Sequence, residues 1–344
     1  MRRFIARSSK VIPIILAFAM IFSSGLVAFA DEDGGPIAVP ISGNVADDAY
    51  IGEVGGGYIN VTAVLADAET IIAAEEAVYK AATEMAAATG IVLSAVAPPM
   101  RVTVTEPNTV ATVTLPDDIE TTDITTMAIL AEDGSLIPVP TRVNSNGEVV
   151  VLLSGDMVLI PLNVQANFVD TYLGASYMHV TEEINLAASM MIIQGYGNGV
   201  FSPRGQVSGQ AAVTMFMRAI GVPVVWESAM ETAQELGLIS AGVVPGAPMT
   251  RIKTAQLIVN ALDSIGMESN ITLEEAVGFL KPYPDLATGL TDDETIAMAV
   301  CVGLGIFQGG SSGLMNPNAT LQRSAMASLS VRLQNVFLDI CEEE

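Results

Sequence analysis

Apolar and polar positions alternate along much of the chain between Tyr58 and Val164. Met100-Arg-Val-Thr-Val-Thr105, Val110-Ala-Thr-Val-Thr-Leu115 and Gly147-Glu-Val-Val-Val-Leu152 carry the pattern. A period of two puts one face of a strand inward and the other outward, so the spacing predicts short β-strands. Turn signals separate them at Glu106-Pro-Asn108, Pro116-Asp-Asp118, Glu132-Asp-Gly134 and Asn144-Ser-Asn-Gly147. Residues 58–165 are therefore expected to form a small antiparallel, sandwich-like domain. One segment breaks the alternation. Ala66 to Ala88 is rich in Ala and Glu, with Ile71, Ile72, Val78 and Met85, and Gly90 follows. That composition predicts a helical insertion stopped by the glycine. Residues 31–57 are rich in Gly and Asp and read as a loose lead-in.

From Phe168 onward the pattern changes to apolar helical runs joined by glycine-rich loops, and one loop occurs twice. Gly195-Tyr-Gly-Asn-Gly199-Val-Phe-Ser-Pro203 and Gly309-Gly-Ser-Ser-Gly313-Leu-Met-Asn-Pro317 place glycine, glycine and proline at the same offsets. Each loop follows one predicted helix and precedes another. Helices are expected at Ile184–Ile193 and Ala211–Ile220, the second capped by Ser208. In the next unit, from about Trp226, one helix ends near Leu236-Gly-Leu-Ile239 and the other begins at Thr250. A third unit starts near Tyr283, with helices around Thr295–Gly303 and Ser324–Val336. Pro203, Pro245 and Pro317 precede Gly209, Arg251 and Arg323 by six residues each. These recurrences predict three copies of one helix–loop–helix unit at 168–222, 223–265 and 283–338. The middle copy has a shortened loop, and 266–282 is expected to be a linker. Arrays of such units commonly bind rather than catalyse.

These units resemble S-layer homology (SLH) domains. Phe168-Val-Asp170 and Tyr283-Pro-Asp285 match the aromatic-x-Asp opening of that family. Gly195-Tyr196, Gly199, Phe201 and Pro203 match its G-Y-x-x-G-x-F-x-P loop. Thr250-Arg251 matches the Thr-Arg pair that starts the second helix, and Gln322-Arg323 matches it in part. The copies depart from the family at Ser208-Gly209, which replaces Thr-Arg. They depart also at His179 and Asp293, which stand where a Trp is usual, and at Ala211, Lys253 and Ala325, which replace a Glu. The resemblance implies a mostly helical, three-repeat domain of pseudo-three-fold arrangement over 168–338; with the β-sandwich-like domain and its helical insertion read above, the chain is expected to be an α+β multidomain protein. It also implies binding of secondary cell-wall polysaccharide in grooves between the units. Arg251 and Arg323 are the first candidates for that contact. A guanidinium at a helix N-terminus adds its charge to the helix dipole, which suits a carboxylate or phosphate on a sugar polymer. Gly195, Tyr196, Gly309 and Thr250 complete the candidate set. The glycines are chiefly loop formers, and Tyr196 is either a sugar-stacking ring or a cap on the core.

The N-terminal segment changes the setting. Arg2, Arg3, Arg7 and Lys10 precede an apolar run from Val11 to Phe22, then Ser23-Ser-Gly25 and Ala28-Phe-Ala30. That order predicts a secretory signal peptide over residues 1–30; an uncleaved membrane anchor is the alternative. The chain has 14 basic and 38 acidic residues, and without the four cations of this leader the formal net charge is −28. A nucleic-acid partner is excluded by that balance, since phosphate binding needs a basic face. No membrane partner is expected once the leader is removed, while other surface-layer proteins are possible partners. The two cysteines, Cys301 and Cys341, are read either as a disulfide, which export permits, or as two buried thiols.

Catalytic constellations are missing from the sequence. His179 is the only histidine and lies in no nucleophile context. One histidine and two distant cysteines do not make a zinc site. Adjacent acids such as Glu182-Glu183, Glu274-Glu275 and Asp292-Asp293 are expected on solvated faces or helix starts rather than across a glycosidase cleft. No cofactor is expected, and the 17 methionines read as core filling. The expected function is that of a non-enzymatic exported protein of the bacterial cell surface, anchored to wall polysaccharide. The alternatives are a wall hydrolase that uses these units for targeting, and a protein–protein scaffold.

Overall fold

The computed structural model describes residues 5–7, 50–54 and 57–342, apart from 105–108, 114–122, 132–133, 144–148, 154, 173–177, 223, 240–241, 265–266, 270 and 310–311. The expected leader, apart from 5–7, and most of the lead-in lie outside these residues. The chain folds as two compact units. One holds residues 203–220 and 224–336 together with the short strand β1 (Ile5–Arg7). The other holds the described residues from 50 to 202, with 221–222 and 337–342.

The second of these units is built on antiparallel sheets. Its strands are β2 (Tyr50–Val54), β3 (Gly57–Leu65), β4 (Ile91–Ala95), β5 (Met100–Val104), β6 (Thr109–Val113), β7 (Thr126–Leu130), β8 (Leu136–Val139), β9 (Thr141–Val143), β10 (Val149–Leu153) and β11 (Met157–Ala166). A seven-stranded sheet runs β2-β3-β5-β11-β7-β8, and β4 also pairs with β11. The length of β11 makes this possible: Met157–Leu159 pair with β5, Leu162–Ala166 pair with β4, and β7 takes the opposite edge. A three-stranded sheet, β6-β10-β9, supplies the second layer. Val149, Val151 and Leu153 of β10, Ala111 and Val113 of β6, and Met100, Val102, Met127, Val139 and Leu159 of the larger sheet form one buried cluster. The alternation at Met100–Val104 is thus used as expected, with Val102 fully buried and Arg101 outward. Strand β10 departs from it, because Val150 and Leu152 are buried as well.

The helical insertion forms as the composition predicts. Helix α1 (Ala68–Thr89) starts at Asp67, whose Oδ1 accepts the Thr70 N–H at 2.8 Å, and stops at Gly90 in the left-handed region. Helix α2 (Met178–Ser189) belongs to the same unit and packs on β11. It starts earlier than the apolar run suggests and ends at Ser189, so Met190–Ile193 form the following turn.

The other unit is mainly helical. It contains α3 (Gly209–Ala219), α4 (Ala229–Glu235), α5 (Arg251–Ser264), β12 (Met267–Ser269), α6 (Leu273–Leu280), α7 (Asp292–Gly303) and residues 323–336 of α8 (Arg323–Glu342). Helix α3 packs on α4, and α7 packs on both α5 and α6. The stretch 266–282, expected as a linker, holds β12, which pairs with β1, and α6. A capping box starts α6: the Glu275 N–H donates to the Thr272 hydroxyl at 3.3 Å, and the Glu275 carboxylate accepts the Thr272 N–H at 2.9 Å.

Candidate functional site

The starts of α3, α5 and α8 are tied together by backbone hydrogen bonds. The Val207 N–H donates to the Leu321 carbonyl at 3.0 Å, the Leu321 N–H to Met249 at 2.8 Å, and the Met249 N–H to Val207 at 2.8 Å. The three bonds close a ring, and all three side chains are buried. Two residues further on, each helix begins. The N–H groups of Gly209 and Gln210 donate to the carbonyls of Ala247 and Pro245. Those of Arg251 and Ile252 donate to Ala319 and Pro317, and those of Arg323 and Ser324 to Gly205 and Pro203.

These contacts change the chemistry expected of the helix starts. The first N–H groups of a helix lack intrahelical partners and normally make an anion site. Here the first two N–H groups of each helix are taken by carbonyls of another segment. At α3 and α5 the third is taken as well, since the Ala211 N–H donates to the Ser208 hydroxyl at 3.2 Å and the Lys253 N–H to the Thr250 hydroxyl at 3.4 Å. Ser208 and Thr250 therefore serve as caps. The first two backbone N–H groups of each of these helices, and the third at α3 and α5, are thus occupied within the protein.

Two aspartates hold the glycine loops. The carboxylate of Asp170 accepts the N–H groups of Phe201 and Ser202, both at 2.7 Å. The carboxylate of Asp285 accepts those of Met315 and Asn316 at 3.1 and 2.6 Å. Ser202 and Asn316 both precede the loop proline and both have positive φ. The sequence placed these aspartates in the opening motif, but their work as loop clamps emerges only from the geometry. Gly195 is structural: an added Cβ would lie 2.5 Å from the Thr89 carbonyl oxygen and 2.8 Å from that of Val200. Gly309 faces the Tyr283 ring, with its added Cβ 3.0 Å from Cε1. Tyr196 is 67% exposed, so its ring points to solvent rather than capping the core.

The two candidate arginines differ. Arg323 is 4% exposed. Arg251 is partly exposed, and its Cζ lies 4.8 Å from the centroid of the Phe307 ring. Its Nη2 donates to the Gln308 carbonyl at 3.2 Å and approaches Met315 Sδ at 3.7 Å, while Nε is buried with no hydrogen-bond partner. Burial pulls this guanidinium below the ordinary arginine pKa, Asp285 works against that shift, and Arg332 adds a like charge nearby. Arg332 itself donates from Nη1 to the Ile306 carbonyl at 3.3 Å. Sequence reasoning missed Arg332, because its position in α8 matches no motif.

Other features carry less chemistry. His179 is exposed on the first turn of α2. Asp292-Asp293 and Glu274-Glu275 occupy the first turns of α7 and α6. Cys301 is a buried free thiol. Among the described residues no group of three His, Cys, Asp or Glu could hold a metal ion, and no helix is long and apolar enough to cross a membrane.

Comparison with known families agrees with part of this picture. The family model of the S-layer homology domain matches residues 175–213. The matched stretch holds α2, the Gly195–Pro203 loop, Val207 and the first turn of α3. No curated protein matches the chain.

Proposed function

We propose that this chain is an exported, non-enzymatic cell-surface protein held to an anionic wall polysaccharide by three SLH-like units. In this reading the units lie at 168–222, 223–265 and 283–338, in a pseudo-three-fold arrangement about the Val207, Met249 and Leu321 ring. The β-rich domain at 58–165 faces outward or joins a surface layer. The observation that carries the reading is the S-layer homology match at residues 175–213, a family associated with the cell surface. Its support extends beyond the matched stretch, because the Asp170 clamp recurs at Asp285 and the helix-start contacts of Gly209 recur at Arg251 and Arg323.

The test is cosedimentation of the whole exported chain with protein-free bacterial cell walls. Pelleting at moderate ionic strength is the expected result, with no clearing of glycan or peptidoglycan gels. A chain that stays in the supernatant sinks the anchoring role. A second reading, a protein–protein scaffold, is favoured by the buried Arg323 and the occupied helix starts. Self-association by light scattering, together with silence toward walls, would favour it.

A further inference from the structure

The two glycine loops share an aspartate clamp but have different neighbours. In the third unit an added Cβ at Gly313 meets nothing within 4 Å, and one at Gly309 meets the Tyr283 ring and the loop itself. In the first unit the loop faces the C-terminal end of α1. An added Cβ would lie 2.5 Å from the Thr89 carbonyl oxygen at Gly195, and 2.9 Å from that of Ala88 at Gly197. From the other side, an added Cβ at Gly90 would lie 2.7 Å from Gly199 Cα. Gly199 and Gly313 share the left-handed backbone, at φ 70° and 73°, so the turn alone does not require this crowding.

The contact suits the chemistry of both partners. The last carbonyls of a helix lack intrahelical donors and carry the negative end of its dipole. At the end of α1 the Gly90 carbonyl accepts the Asn167 N–H at 2.9 Å. A glycine carries a Cα hydrogen where other residues carry Cβ, so Gly195 and Gly197 aim C–H groups at the Thr89 and Ala88 carbonyls. Asn167 leads into the Asp170 clamp, and the Val169 N–H donates to the Gly199 carbonyl at 2.8 Å. A second contact ties α2 to the sheet. The helix packs on β11, and the Thr125 hydroxyl lies 3.3 Å from the Ser189 carbonyl oxygen at its end. Residues 168–202 accordingly share one compact unit with the described part of the β-rich domain.

We propose that the first glycine loop is a docking socket for the C-terminal end of α1, and that this joint makes the β-rich domain, α2 and the loop one cooperative body. The occupant of the socket is a segment of the chain itself, which takes the faces of Gly195 and Gly197 away from any external ligand. The joint does not depend on wall binding.

Hydrogen exchange of the full chain tests it. Gly195→Ala perturbs the socket directly, Asp170→Ala loosens it from behind, and Gly309→Ala is the control in the third unit. The first two variants should speed exchange of residues 86–90 and of the Asn167 N–H at least about tenfold, along with that of the loop. Gly309→Ala should leave those amides at wild-type rates. A loop that exchanges faster while 86–90 keep their protection overturns the joint, and so does equal acceleration of 86–90 by Gly309→Ala. A cross-link serves should Gly195→Ala fail to fold. Ala88 and Asn198 are both exposed. In a Cys341→Ser chain, Ala88→Cys and Asn198→Cys should be bridged by a short bis-maleimide far faster in the native state than in urea. A native rate no higher than the rate in urea overturns the seating of α1. A wild-type chain that never pellets with protein-free walls sinks the anchoring role alone and leaves these outcomes unchanged.

Discussion

The Asp170 carboxylate accepts the backbone N–H of Ser202 at 2.7 Å, and Ser202 lies in the left-handed region at φ 59°. A non-glycine residue in that region costs about 1–2 kcal/mol, so something must hold it there. The charge-assisted bond does, and Asp285 does the same for Asn316 at φ 50°. Replacing Asp170 with Ala should destabilise its unit by about 1.5–3 kcal/mol, the range for a hydrogen bond to a charged group. Ser202→Gly should recover about 1 kcal/mol of that loss, because glycine adopts the turn without the clamp. A double-mutant cycle by urea denaturation measures both. Asp170→Ala at wild-type stability would show that the loop holds itself.

Gly195 and Gly278 should respond to alanine in opposite ways. An added Cβ at Gly195 meets two carbonyl oxygens and Phe168 Cε1, all under 3.0 Å. Gly195→Ala is expected to cost about 1–3 kcal/mol as overpacking. Gly278 lies inside α6 with nothing within 4 Å of an added Cβ. Gly278→Ala should stabilise the helix by about 0.5–1 kcal/mol, since glycine is the poorer helix former. Thermal melts of the two variants check the contrast; a gain at Gly195 would contradict the close approach.

Asp67 makes stability depend on acid in a defined direction. The Thr70 N–H holds its carboxyl below the ordinary aspartate pKa, with further help from the Thr70 hydroxyl and Arg101. A group whose pKa is lowered by folding stabilises above its unfolded value and loses that contribution as pH falls through its folded value. Asp67→Asn should therefore lower the melting temperature near neutrality. The gap to wild type should close as pH drops below the ordinary aspartate range. A gap that widens in acid would contradict the sign.

Cys301 should be chemically silent in the folded chain. Its side chain is fully buried, burial pushes the thiol pKa up, and the sulfur sits 3.8 Å from the Ala255 carbonyl oxygen. The thiolate is the reactive form. In a Cys341→Ser chain, a disulfide reagent at mildly alkaline pH should find no thiol until denaturant is added, and then one equivalent. Rapid labelling of the native chain would contradict the burial.

Much of this architecture was legible in local signals. Strand alternation at Met100–Val104, the glycine stop after α1 and the caps at Ser208 and Thr250 all act over a few residues, and each is used as its chemistry suggests. The Thr272 and Glu275 capping box was also present in the sequence, and it signalled α6 where a linker was expected. What the sequence left open depends on long-range contacts. The difference between Arg251 and Arg323 is one of surroundings, since both stand six residues after a loop proline. Arg251 meets Phe307 and Gln308, which lie more than fifty residues away along the chain, and nothing near it in sequence reveals that. The filled N–H groups of the helix starts are hidden for the same reason.

Gly209 gives a last test that joins packing to function. It stands where Arg251 and Arg323 stand in the other helix starts, so restoring an arginine is the obvious way to add a binding site. The geometry argues against it. Val244 O would lie 2.4 Å and Val243 Cγ1 3.2 Å from an added Cβ, and the Gly209 N–H donates to the Ala247 carbonyl of the same loop at 2.9 Å. Any side chain must push away a segment that also satisfies the helix start. Gly209→Ala should cost about 1–3 kcal/mol, as overpacking does. Gly209→Arg should melt lower still and should not increase retention on protein-free walls. A Gly209→Arg chain that melts with the wild type and pellets more strongly would show that this helix start is open to ligand.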